Sequence, residues 1–179
     1  MAADASRGPR KGDKPFDAVE LDAAALSYLN RFDATAKKLS DHLLRLARRR
    51  GCEHGTAAKL IESLLARYRG SGLIDDRRFA RARAATLQAR GGSRRMITMK
   101  LVQNGVAREI VDEVLSENAG GSNELDAATA YVKRKRLGRF RVGAEQPDAR
   151  RKDLARLARQ GFDFDTASRA LGFGREEDF

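Results

Sequence analysis

Two short clusters in this 179-residue sequence carry side chains capable of chemistry. Cys52, Glu53 and His54 are consecutive, and Asp75 and Asp76 form a carboxylate pair further along. A thiolate and an imidazole are zinc ligands, or together a nucleophile and its base. The first cluster offers two good ligands where a closed zinc site takes four, and the chain's other histidine, His42, brings no partner cluster with it. A catalytic Cys–His pair is normally assembled across a fold, whereas these two are separated by one residue. Asp75 and Asp76 stand directly before the stretch Arg77–Arg90, where a carboxylate caps a helix and faces the positive end of its dipole. No Gly-x4-Gly-Lys-Ser/Thr loop is present to cradle a nucleotide. No catalytic residue, metal ligand or cofactor is assigned, and the chain is not expected to be an enzyme.

The chemistry the sequence does offer in quantity is cationic. Lys and Arg number 36 against 25 acidic residues, a formal charge of +11, and 27 of the cations are Arg. The guanidinium is a planar fork suited to phosphate and carboxylate. Residues 31–50 sum to +5, and residues 77–100 and 127–160 to +8 each, while 101–126 sum to −5 and 161–179 to −3. The cations in these blocks that are candidates for contact with nucleic acid or an acidic protein surface are Lys37, Lys38, Arg45, Arg48 and Arg49 in the first. Arg90, Arg94, Arg95 and Lys100 follow in the second, and Lys133, Arg134, Arg136, Arg139, Arg151 and Lys152 in the third. Around Gly91-Gly92-Ser93, free N–H groups at a helix start offer a further phosphate seat. Such groups neutralise phosphates without reading sequence. Trp is absent and Phe plus Tyr total 11, too few for a base-stacking platform.

The elements that must position these cations are helices. Pro occurs only at 9, 15 and 147. Apolar residues recur at helical spacing, as in Leu39, Leu43, Leu46, Ala47 and in Ile61, Leu64, Leu65, Tyr68. Gly51, Gly72, Gly91, Gly105, Gly138, Gly161 and Gly172 each follow a helical stretch as C′ candidates. Asp22, Asp33, Thr56, Asp75, Ser93, Asn123 and Asp148 are the expected N-caps. About nine helices result, in three groups of three. Apolar residues at −4, +1, +6, +9 and +10 from Gly105 recur identically around Gly161, and the first group has the same internal spacing with four extra residues around Glu53 to Thr56. The expected organisation is a flexible extension over 1–20, repeats over 21–73, 74–119 and 120–172, and an acidic tail over 173–179. Apolar content of 41% excludes a membrane protein, no secretory leader is expected in Met1–Lys14, and the lone Cys52 fits a reducing, cytoplasmic setting.

The string Gly72-Leu73-Ile74-Asp75-Asp76-Arg77-Arg78-Phe79-Ala80 resembles the signature joining the first and second repeats of RecX proteins. Arg94-Arg95-Met96-Ile97, Lys100-Leu101 and Gly105-Val106 continue the likeness, as do Ala130-Tyr131, Leu137-Gly138, Arg151-Lys152-Asp153-Leu154 and Gly161-Phe162. The resemblance spans roughly residues 22–172. It implies an all-α chain of tandem three-helix repeats forming an elongated, curved molecule. It also implies that the chain regulates, mainly by inhibition, the RecA recombinase. The implied mode is binding of the RecA filament on single-stranded DNA, modulating its ATPase, strand exchange and SOS co-protease activities. The chain is expected to act as a monomer. Two other readings are a helix-turn-helix transcription factor and a nucleic-acid-binding protein driven by charge alone. The first requires a recognition helix fit for a groove, which the acidic third helices are not; the second requires binding that collapses with salt regardless of RecA.

Overall fold

The computed structural model describes residues 17–117, 123–143 and 148–173. The regular elements among them are nine α-helices and one 3₁₀ turn, and no described residue is in a strand. The chain divides into two compact units, Met1–Asp76 and Arg77–Phe179. The terminal tail beyond Phe173 and most of the expected extension, residues 1–16, lie outside the described residues. No helix among those described is long and apolar enough to cross a membrane.

The first unit contains α1 (Ala18–Leu29), α2 (Ala36–Arg49) and α3 (His54–Gly70). Leu39, Leu43 and Ala47 of α2 bury with Ile61, Leu64, Leu65 and Tyr68 of α3 and with Leu21 and Ala25 of α1, so the expected stripes form one core. Three N-caps differ from expectation. Asp17 caps α1, accepting from Val19 N and Glu20 N at 3.0 and 2.8 Å. Asp22 therefore lies inside α1, where its carboxylate accepts the Tyr68 hydroxyl at 2.9 Å and pairs with Arg67. Burial and this acceptor push the Tyr68 phenol up to about 12. Thr35 rather than Asp33 caps α2, and Glu53 rather than Thr56 caps α3. Glu is not a favoured cap type, but its carboxylate here reaches Gly55 N and Thr56 N at 2.7 and 2.6 Å and accepts from the Thr56 hydroxyl, which holds it below the usual carboxylate range.

The four extra residues of the first repeat form no loop. Helix α3 starts three residues after Gly51, just as the helices after Gly105 and Gly161 start three residues after theirs. The addition is one further turn at the N-terminus of α3, a 17-residue helix.

The second unit continues from α4 (Asp76–Ala89), whose first residue closes the first unit, through α5 (Arg94–Gln103), α6 (Arg108–Glu117) and α7 (Glu124–Lys135). After the 3₁₀ turn Gly138–Phe140 come α8 (Ala149–Arg159) and α9 (Phe164–Leu171). Helices α4–α6 and α7–α9 each enclose their own core. All ten residues at the repeated offsets from Gly105 and Gly161 are buried. The −4 and +1 positions have a specific cause. Gly105 is left-handed at φ 85°, Gly105 N donates to Val102 O at 2.8 Å, and Val106 N donates to Leu101 O at 3.1 Å. That is a Schellman motif, which sets the residue after the glycine against the one four before it. Gly161 builds the same motif with Phe162 and Leu157.

Gly138 does not terminate α7. Arg136 takes the left-handed position at φ 53°, and Gly138 instead lies against α9, where a Cβ would come within 2.5 Å of Leu171 O. Asp148 stands at the N-cap of α8 but makes no capping bond. Inside this unit the two triplets are joined by close backbone approach. A Cβ on Gly91 would lie 2.5 Å from Tyr131 N of α7, and the buried Ser93 hydroxyl donates to Gln160 O at the end of α8.

Candidate functional site

Helix α2 carries the first group of cations. With 100° per residue, Lys37, Lys38, Arg45, Arg48 and Arg49 fall within about 120° of its circumference, opposite the buried Leu39–Leu43–Ala47 stripe. All five are exposed, and Lys37 bonds Asp41 one turn on at 2.9 Å. Thr35 and Asp76 fix the start of this helix: the Thr35 hydroxyl accepts Lys38 N at 3.2 Å, and Asp76 Oδ1 accepts Ala36 N at 2.9 Å. The Asp76 carboxylate therefore caps α2 rather than only the helix it begins. Arg50 turns to Glu20 at 2.8 Å. His42 stacks on Tyr28 with ring centroids 4.3 Å apart; burial, then Arg45, Arg31 and Arg49, lower its pKa. Within Cys52-Glu53-His54, the Glu53 carboxylate is taken up by the α3 cap. Among the described residues no group of three or more potential ligands converges.

The second group is rearranged by the fold. The start of α5, expected to seat a phosphate, already holds an anion: Glu124 Oε1 accepts Arg94 N at 2.7 Å, and Ser93 Oγ accepts Met96 N at 3.1 Å. The dipole that would draw a phosphate is satisfied by a carboxylate of the next triplet. Arg94 itself donates through Nη1 to Leu115 O at 3.0 Å, a cation placed at the C-terminal end of α6. That bond holds one nitrogen of its fork, and of the four candidates here Arg90, Arg94 and Arg95 are exposed and Lys100 is half-buried. Further cations of the block are neutralised. Arg77 pairs with Glu113 and lies 3.7 Å from Glu117, while Arg81 makes a two-pronged bond to Glu117 at 2.9 and 3.0 Å. The Arg81 hydrogen bond is the main reason Glu117 stays below the usual carboxylate range. Beside α5 a cavity of 670 Å³ is lined by Arg95, Met99 and Arg108 but also by Asp112, Glu124 and Asp163, so its charges are mixed.

The third group remains largely open. Lys133, Arg134, Arg136, Arg139, Arg151 and Lys152 are all exposed. The Arg134 guanidinium lies over the Tyr131 ring at 5.7 Å and Arg139 over Phe140 at 5.0 Å. Arg139 also covers the end of α9, where a Cβ on Gly172 would meet its side chain at 3.0 Å. Arg151 reaches Asp148 only at 3.6 Å. The buried carboxylate here, Asp153, accepts Gly138 N at 3.0 Å and pairs with Arg141, locking the 3₁₀ turn onto α8. Two cations that sequence reasoning left out, Arg156 and Arg159, line a recess with Lys135, Tyr131 and Gln160. Their signal lay in spacing: Tyr131 and Lys135 are i, i+4 on one helix, and Arg156 and Arg159 are i, i+3 on another.

Residues 75–115 match the family model described as RecX, second three-helix domain. The regulatory protein RecX of Myxococcus xanthus is 37% identical over 170 residues, covering 92% of this chain and 90% of that protein. That of Agrobacterium fabrum is 30% identical over 158 residues, covering 86% and 83%, and that of Halorhodospira halophila 33% over 159 residues, covering 87% and 88%. The crystal structure of RecX from Lactobacillus salivarius aligns with a TM-score of 0.65 over 87% of this chain and 94% of that one, a likeness of fold at 17% identity. With such similarity running through nearly the whole length of both proteins, this chain belongs to the RecX family of regulatory proteins.

Proposed function

We infer that the chain regulates the RecA recombinase, mainly as an inhibitor, by binding the RecA filament on single-stranded DNA in the cytoplasm. Family membership carries this reading, through 37% identity over 92% of the chain. The cations support it locally. The exposed face of α2 and the open cations of α7 and α8 are surfaces for polyanionic DNA or for acidic patches on the filament. The residues that meet the filament are Lys37, Lys38, Arg45, Arg48, Arg49, Arg90, Arg94, Arg95, Lys133, Arg134, Arg136, Arg151 and Lys152, with Lys100 and Arg139 at the margins. Modulation of strand exchange and of SOS co-protease activity follows from occupying the same filament. The test is a titration of the protein into RecA turning over ATP on single-stranded DNA, at two salt concentrations. The ATPase rate falls with added protein; a rate unchanged at both salts overturns the reading.

A further inference from the structure

The recess between α7 and α8 gathers several cations around one concave space with no carboxylate among them. Its lining is Tyr131 and Lys135 from α7 with Arg156 and Arg159 from α8 and Gln160 at that helix's C-cap, around a volume of 380 Å³. No acidic residue lines it, and no carboxylate among the described residues pairs with Lys135, Arg156 or Arg159. The floor is firm. Tyr131 is buried, Gly91 packs against its backbone, and the Gln160 carbonyl is tied to Ser93. Arg159 is also oriented, its Nε donating to Ala155 O at 3.2 Å, which leaves the terminal amino groups of its fork for another acceptor. We propose that this recess is a seat for the backbone phosphates of a nucleic-acid strand.

Chemistry selects the occupant. Two guanidinium forks and an ammonium supply donors and positive charge, so the ligand must be an acceptor-rich anion. The recess lies within a segment whose formal charge is +8, beside the consecutive cations Lys133, Arg134, Lys135 and Arg136. An isolated carboxylate uses one such seat, whereas a polyanion continues onto the neighbouring cations. Phosphate contacts of this kind position a strand without reading its bases. The seat rests on the nucleic-acid half of the function proposed above and adds residues to it.

The test is fluorescence anisotropy of a labelled oligothymidylate with the full-length chain, without RecA, across a range of salt. The K135Q/R156Q/R159Q variant is compared with R7Q/R10Q/K11Q, which removes equal charge from the N-terminal segment. The recess variant binds about tenfold more weakly at low salt. Its slope of log K against log salt is shallower by roughly 0.7 for each single-strand phosphate that the altered recess no longer neutralises. R156K/R159K keeps the charge but removes the forks, and it binds more weakly than the unaltered chain with the slope preserved. A weakening no greater than that of the N-terminal variant overturns the seat. So does a recess variant that binds the strand normally yet no longer inhibits RecA, which would assign the recess to an acidic protein surface. An unaltered chain that fails to bind the strand overturns the nucleic-acid reading together with the seat.

Discussion

Residues 77–100 and residues 127–160 each carry a formal charge of +8, but the fold uses that charge differently. In the second repeat, Glu113 and Glu117 lie one turn apart on α6 and reach back to Arg77 and Arg81 on α4, while Glu124 and Leu115 O take up the backbone and side chain of Arg94. In the third, the acids of α9 act at home: Asp163 caps its own helix through Thr166, and Asp165 lies 3.5 Å from Arg169 one turn on. The acid that does reach across, Asp153, is buried with Arg141 and leaves Lys135, Arg156 and Arg159 open. Charge available to a partner therefore depends on which face of the third helix the carboxylates occupy, and not on the number of cations in the run.

The buried and exposed acids give the widest separation between the repeats. Asp153→Ala removes the acceptor for Gly138 N and the partner of Arg141 in a site where the carboxylate is 3% exposed. It costs about 3 kcal/mol, read as a lower midpoint in urea at unchanged slope; a loss below about 1 kcal/mol would class Asp153 with surface pairs. A smaller effect of opposite sense comes from E113Q/E117Q, which removes the two carboxylates that Arg77 and Arg81 pair with. The variant binds single-stranded DNA more tightly, with a salt slope steeper by about 1; an unchanged slope would mean that α4 faces no strand even without the α6 carboxylates. The smallest effect is one of pH. Because Arg81 depresses the Glu117 carboxyl below 4.5, its contribution to stability is fully present above that value and fades as pH falls through the lower folded value. Thermal melts from neutral to acid pH show a shallower acid limb in E113Q/E117Q, and identical limbs would mean that Glu117 adds nothing to acid stability.

Helical class, tandem triplets and the buried offsets around Gly105 and Gly161 were legible because each follows from short-range rules of period and capping. The Schellman geometry shows why the −4 and +1 positions repeat so faithfully. Caps were read less well where a side chain of unfavoured type, Glu53, or one lying earlier, Asp17, served the first turn. The electrostatic partners were illegible for a different reason. Arg81 and Glu117 are 36 residues apart, and Arg94 and Glu124 are 30 apart, so neither pairing lies within reach of local spacing. The same limit hid the recess, whose two i-spaced pairs mean little until α7 and α8 meet.

The additional turn of α3 bears on how such a chain changes length over evolutionary time. Each residue added to a helix rotates everything beyond it by about 100°. One inserted residue would swing Ile61, Leu64 and Leu65 out of the core, and two would turn them to face solvent. Four bring the stripe back to within about 40° of its starting phase, a deviation a wide apolar face absorbs. Length in these repeats is therefore quantised in turns, and helices compared among relatives should differ by three or four residues far more often than by one or two.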